Sequence, residues 1–295
     1  MDAEPDAIRR LTQPGPEAPE RIESAVGALK RLDFTLEPGL TINAAIAGPL
    51  LQAGISAAQV ELEGGAFGPF TYVMPAGAQD AAHAAWYSAP FSPRGLTRLE
   101  AGNVTFGRRE GSPFIHCHAF WIEPDGSRHG GHVMPHEAVV AEPIAARAYG
   151  TGDVQTSADF DPETNFTLFT PHQARAADGG PRIAFARVRP NTEISAALEE
   201  ICRRHGFPAG RVRGSVGSLV GARFEDRAPV DDYATEVFVR DGVIAPDGAG
   251  GLKARLDIAM VGMSGVMAEG RLAHGRNGVC ITFELAVEEA APGAV

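Results

Sequence analysis

The feature that most constrains this chain is that it repeats itself once. Residues 36–46 read LEPGLTINAAI and residues 188–198 read VRPNTEISAAL. Pro38 meets Pro190, Ile42 meets Ile194, and Ala44 and Ala45 meet Ala196 and Ala197, all at an offset of 152. The register continues through Gly54/Gly206, Ala57/Ala209, Val60/Val212 and Gly65/Gly217. A match held over this length without a gap implies two copies of one unit in a chain of 295 residues.

Each copy reads alike. A strand (FTLEP; IAFARVRP) is closed by Pro, and a helix follows with Thr41 or Glu193 near its start. Its apolar residues recur at helical spacing: Ile42, Ile46 and Leu50 in one copy, Ile194, Leu198 and Ile201 in the other. Gly54 or Gly206 is the expected stop. A second strand leads to a glycine turn, GGAFG at 64–68 or GSVGS at 214–218. Later strands are predicted over TYVMP, HAAWYSAP, NVTFGRR, FIHCHAFWIE and AVVAEPIAARAY, and in the second copy over ATEVFVRDGVI, LKARLDIAMVGM, SGVMAEGRL and GVCITFELAVEE. The expected organisation is an N-terminal arm over 1–32 with a helix over 17–31, a first domain over 33–150, a linker over 151–180 and a second domain over 181–290. Within the linker NFTLF reads as a strand and HQARAADGG as the flexible stretch.

Composition sets outer limits. Apolar residues are 44% and charged residues 21%, enough for a core. The 35 Gly and 22 Pro favour many turns and short elements. A net charge of −11 argues against a broad nucleic-acid or anionic-membrane footprint. Cys117, Cys202 and Cys280 are widely spaced and form no C-x-x-C pair, and the acidic, Pro-rich N-terminus carries no apolar signal region. No apolar run approaches the ~18 residues of a membrane span. These features predict a reduced, cytoplasmic protein.

Five of the nine histidines fall within 21 residues: His116, His118, His129, His132 and His136. A strand sends residues i and i+2 to one face, so FIHCHAF aims His116 and His118 together and turns Cys117 into the core. Asp125-Gly126 makes a turn, and Gly130-Gly131 permits close backbone approach as His132 returns beside the pair. Three imidazoles suit Zn²⁺ or another borderline divalent ion, with a position open to water, substrate or a further protein ligand. Water held there would titrate near ~7. His129 and His136 read as solvated turn residues, with support of a metal ligand or proton transfer as the alternative role for each.

LEPG–helix–GGAFG, then FIHCHAFWIEPDGSRHGGHVMP, then AVVAEPIAARA resembles the plants-and-prokaryotes-conserved (PPC) domain family. The resemblance covers about 33–150, and a divergent second copy covers about 181–290. It implies tandem α+β domains, each a mainly antiparallel sheet with a packed helix, and assembly into trimers. It also implies a metal, usually zinc, on His116, His118 and His132. Plant members of the family pair the domain with AT-hooks and bind DNA. This chain has no AT-hook, and an offset of 139 anchored on Gly126/Gly265 puts Arg255, Asp257 and Arg271 where the three histidines stand. The second copy therefore lacks the triad and is either structural or lines a site with Arg255 and Arg271. On this reading a three-residue insertion aligns Glu142 with Glu284.

Glu142, on the closing strand, is a candidate general base or a carboxylate orienting a histidine. Glu63, Arg108 and Arg109 are candidate substrate contacts. Trp86, Tyr87 and Trp121 read as core or interface residues. Three functions follow: a metal-dependent hydrolase, lyase or isomerase acting on a small, carboxylated molecule; a non-catalytic metal- or metabolite-binding assembly protein; or a DNA-associated regulator. An enzyme requires the metal at the floor of an accessible pocket that also holds a carboxylate and an arginine.

Overall fold

The offset of 152 reappears in three dimensions. In the computed structural model, which describes residues 8–293, the chain runs β1 (Ile22–Ala28), β2 (Lys30–Leu36), α1 (Ile42–Gln52) and β3 (Ala57–Glu63). Four two-residue strands follow: β4 (Ala66–Phe67), β5 (Tyr72–Val73), β6 (Pro75–Ala76) and β7 (Trp86–Tyr87). Then come β8 (Thr97–Arg109), β9 (Ser112–Ile122), β10 (Arg128–Val133), β11 (Val140–Glu142) and β12 (Ile144–Thr151). A hairpin of β13 (Val154–Phe160) and β14 (Thr167–Gln173) joins the halves. The second half has β15 (Arg182–Val188), α2 (Ile194–His205), β16 (Ala209–Leu219), β17 (Thr235–Pro246), β18 (Leu252–Gly262), β19 (Met267–Arg271) and β20 (Val279–Ala290).

The two sheets share one order. The first runs β2-β12-β3-β8-β9-β10 and the second β15-β20-β16-β17-β18-β19, strand for equivalent strand. Thr41 Oγ1 accepts from Ala44 N at 3.3 Å and the Glu193 carboxylate from Ala196 N at 2.8 Å, so both helices are N-capped at equivalent positions. Both helices stop at a left-handed glycine, Gly54 at φ 63 and Gly206 at φ 65, and the next residue bonds back into the last turn, Ile55 N to the Leu50 carbonyl and Phe207 N to the Cys202 carbonyl. Ile42, Ile46 and Leu50 of α1 are fully buried on their sheet. Each contributes roughly 1.5–3 kcal/mol relative to exposure.

With only two helices among the described residues, the fold is largely β, and the α+β expectation overstates its helical share. The predicted helix over 17–31 is absent. Its spacing of Ile22, Val26 and Leu29 also suits a strand, and β1 pairs with β15 while β2 pairs with β12. Residues from the expected arm thus complete a sheet of the second half. The first seven residues of that arm lie outside the described residues. GSVGS is not a turn: it lies inside β16, where the register shifts between Val212 and Ser215 and Gly214 adopts φ 77. Such a bulge absorbs an extra residue while the strand continues.

The joining hairpin is anchored by buried charge. Asp161 Oδ1 lies 2.7 Å from Arg189 Nη1 and 3.1 Å from Arg187 Nη2, and Glu163 takes both Arg21 terminal nitrogens at 2.8 and 2.9 Å. Asp161, Glu163 and Arg187 are each 2% exposed. Burial alone would raise the Asp161 pKa, but the neighbouring arginines hold it below the ordinary carboxylate value.

Each sheet carries its helix on one face and meets the other sheet with its opposite face. On β9, Ile115, Cys117, Ala119 and Trp121 pack with the α1 core. The alternate residue Phe120 packs on Phe238 and Ala259 of the second half. Asn103 Nδ2 donates across this interface to the Val239 carbonyl at 3.0 Å.

Candidate metal centre

His116, His118 and His132 come together between the two sheets. β9 places His116 and His118 on the face turned toward the second half, and the β9–β10 register sets His132 directly opposite His118. The turn between them holds Gly126 at φ 87, with the Asp125 carboxylate accepting from Ser127 N at 2.9 Å. The adjacent glycines leave no room for a side chain. A Cβ at Gly130 would stand 2.5 Å from the Phe120 ring, and one at Gly131 would stand 2.6 Å from the Val73 carbonyl oxygen. The three imidazoles each offer a nitrogen, and these atoms lie within 4.8 Å of one another.

The hydrogen bonds fix which nitrogens face inward. His118 Nδ1 lies 3.1 Å from the Val237 carbonyl oxygen, which can only accept, so Nδ1 carries the proton. His116 Nδ1 lies 3.0 Å from Glu284 Oε2 and donates to that carboxylate. In neutral rings both Nε2 atoms then present lone pairs, and they face each other at 3.1 Å. Glu236 Oε2, another acceptor, stands 2.5 Å from His118 Nε2. Converging electron-rich atoms call for positive charge between them, a proton or a metal ion. A carboxylate or carbonyl holding the outer ring nitrogen is also the arrangement that prepares a histidine for a metal.

His132 favours a metal over a proton. Its Nδ1 is buried and has no hydrogen-bond partner among the described residues. Burial and the nearby His116 and His118 push its pKa well below the ordinary value, so it is a neutral donor. Burial alone would lower His116 as well, but Glu284 outweighs it and the His116 pKa is raised. The residues fit a divalent ion with one adjustment. A 4.8 Å spread exceeds twice the ~2.1 Å Zn–N bond, so one ring would have to turn inward to bind an ion. His132 is that ring, because the other two nitrogens are already 3.1 Å apart.

A cavity of about 290 Å³ opens on the cluster, lined by His116, His132 and Glu284 together with Arg109, Phe114, Leu168 and Phe169. Exposed Arg109 forms no ion pair among the described residues and sits 5.5 Å over the Phe114 ring. A smaller space of about 40 Å³ is lined by His116, His118 and Glu236. Tyr87 borders both, with its ring 5.2 Å from His132, and burial and the two glutamates raise its pKa.

The other candidate residues lie elsewhere. Glu142 pairs with Arg98 at 3.1 Å on an exposed edge and lines neither space. His129 is on the opposite face of β10 from His132 and meets Ser127 Oγ at 2.9 Å. Glu63 borders a separate surface groove with Asp33 and Glu61. Arg108 donates to the Gly111 carbonyl. Arg255 is exposed, and Arg271 pairs with Asp257 at 3.1 Å, so neither joins the triad. His136 stacks loosely on Phe114, and Trp121 is buried in the first core.

Glu236 and Glu284 are the residues that sequence reasoning missed. Their signal was a lone charge inside an apolar strand, TEVFV and ITFELAV. The proposed insertion also hid Glu284. Ile144 pairs with Leu36 and Phe283 with Val188, so the offset of 139 runs straight through the closing strand and Ala145, not Glu142, is the counterpart of Glu284. The same offset places the Asp257/Arg271 cross-strand pair where His118 and His132 stand.

No protein-family profile matches the chain, and no curated protein matches it. Among solved structures it is similar to a metal-containing protein from Archaeoglobus fulgidus, at 22% identity over 51% of this chain and 98% of that one, with a TM-score of 0.39. It is likewise similar to a plant- and prokaryote-conserved (PPC) protein from Pyrococcus horikoshii, at 15% identity over 49% and 94% of the two chains, TM-score 0.38. A candidate DNA-binding protein from Ralstonia eutropha matches at 17% identity over 46% and 88%, TM-score 0.35.

Proposed function

We propose that the chain is a divalent-metal-dependent enzyme acting on a small carboxylated molecule, with zinc as the ion that the donor set suits. The observation that carries this reading is the cavity of about 290 Å³ whose wall contains two of the three clustered histidines, a buried carboxylate and Arg109, which forms no ion pair among the described residues. That combination supports the enzyme reading, because a metal site that only stabilises a fold needs neither an accessible cavity nor a cation beside it.

His116, His118 and His132 would hold the ion. When bound it supplies a Lewis acid that polarises a carbonyl or makes hydroxide available near neutral pH. The chain's own residues divide the remaining work. Arg109, over Phe114, binds the carboxylate end of the ligand through charge-assisted hydrogen bonds. Phe114, Leu168 and Phe169 shed water from the ligand's apolar body. Glu284 Oε2 holds His116 in one tautomer. Glu284 also lines the cavity, so its carboxylate is the group we assign to take a proton from a molecule bound there. Proton removal beside a Lewis acid is common to hydrolytic, lyase and isomerase chemistry, and the reaction is one of these.

The second reading is a metal- and metabolite-binding assembly protein without chemistry. It is favoured by the position of the cluster between two packed sheets. A screen of zinc-loaded protein against small aromatic and aliphatic carboxylates decides between them. The enzyme reading expects turnover that chelation abolishes and Glu284→Gln depresses. Stoichiometric metal with carboxylate binding but no turnover would establish the assembly reading instead.

A further inference from the structure

Both carboxylates at the histidine cluster come from the second repeat, and they address different nitrogens. Glu284 meets the outer nitrogen of His116, where it orients the ring. Glu236 meets the inner nitrogen of His118: Oε2 is 2.5 Å from Nε2, the atom that also faces His116 Nε2 at 3.1 Å. Glu236 is 8% exposed, and among the described residues its only ion-pair partner is His118. A buried carboxylate without a firm cation is strongly disfavoured, so the site calls for positive charge at this point.

We infer that Glu236 is a fourth protein ligand to the ion of the histidine triad, so that the metal is held across the two repeats and not within one. The inference rests on the metal reading above and adds a donor to it. Oxygen from a carboxylate and nitrogen from imidazole are compatible donors for zinc. Glu236 borders the small space beside His118 but not the larger cavity reached by His116 and His132. It therefore approaches from a different side, and with four protein donors a ligand entering from the cavity would have to add as a fifth donor or displace Glu236.

The repeat supplies independent support. Glu236 pairs with Val261 and Arg98 pairs with Ile122, and these partners differ by the same offset of 139, so Arg98 is the counterpart of Glu236. One copy carries histidines where the other has Arg255, Asp257 and Arg271. The other carries Glu236 and Glu284 where the first has Arg98 and Ala145. Neither copy alone could build the site.

The test is a chelator-competition titration of zinc into wild-type and Glu236→Gln protein, with a crystal structure of the zinc-loaded wild type. Loss of a ligand should weaken zinc by at least the ~10–100-fold that loss of an outer partner costs. The structure should place a Glu236 oxygen about 2.0–2.2 Å from the metal. Unchanged affinity, or zinc in the triad with Glu236 turned away, overturns the inference and leaves the metal reading intact. Wild-type protein that takes up no stoichiometric zinc overturns both. The wild-type structure decides the question even if the variant fails to fold.

Discussion

Glu284 Oε2 lies 3.0 Å from Nδ1 of His116, a residue 168 positions away in the chain. The contact crosses the interface between the sheets and fixes the ring so that Nε2 faces His118. Glu284→Gln keeps the shape but removes the charge. Zinc affinity should fall about 10–100-fold, as for other outer partners of metal-bound histidines. Isothermal titration with a competing chelator measures this, and an unchanged constant would show that the contact does not orient the ring.

The same pair governs pH dependence. Metal binding requires a neutral imidazole, and a raised His116 pKa lets protons compete to higher pH than at an ordinary histidine of pKa ~6.5. Apparent affinity should therefore climb as pH rises through and above that value, with proton release. In Glu284→Gln the raising charge is gone, so the climb should move to lower pH. In metal-free protein the sign is reversed for stability: the raised His116 contributes fully below its unfolded pKa, and that contribution fades as pH rises through the folded value. Titrations in buffers of different ionisation enthalpy, beside denaturant melts of the metal-free protein, read both effects.

His118→Ala removes a donor that is 2% exposed and whose ring lies 4.7 Å from that of His116 and 5.5 Å from that of His132. Purified variant should contain no stoichiometric metal by elemental analysis, and zinc should no longer raise its melting temperature. For the wild type, metal at 100 times its dissociation constant should add about 2.7 kcal/mol of stability. Full metal content in the variant would remove His118 from the site.

Arg109→Gln should leave zinc binding within about twofold while weakening a carboxylate ligand by roughly 10–100-fold, corresponding to one charge-assisted contact of about 1.5–3 kcal/mol. Equal loss for a neutral amide analogue would mean that Arg109 shapes the cavity and does not bind charge.

Asp161→Asn leaves Arg187 and Arg189 buried beside a neutral group. Breaking such a network by removing one partner costs on the order of 3–5 kcal/mol. Because its neighbours depress the Asp161 pKa, the wild type should hold this contribution above the unfolded value near ~3.9 and lose it as pH falls through the lower folded value. Urea melts from pH 7 to pH 2 should show an acid-side slope that the variant lacks in part.

The sequence alone determined the repeat, both helices with their caps, and the three-histidine cluster. Each of these rests on local periodicity: 3.6 residues per turn for α1 and α2, two for FIHCHAF, and a glycine-bearing turn that sets His132 opposite His118. Where a segment's pattern suited two structures, pairing partners far away made the choice. Residues 17–31 hold apolar positions that fit a helix, yet β1 and β2 form because β15 and β12 offer open edges. GSVGS reads as a turn but continues as a bulged strand between β20 and β17. The carboxylates of the site were the least legible part. Glu142 stood close to the histidines in sequence and lies on an exposed edge, while Glu236 and Glu284 stood more than a hundred residues away and lie against them. Sequence distance carries no information about which faces of two stacked sheets meet, and only that stacking brought the donors of one repeat to the histidines of the other.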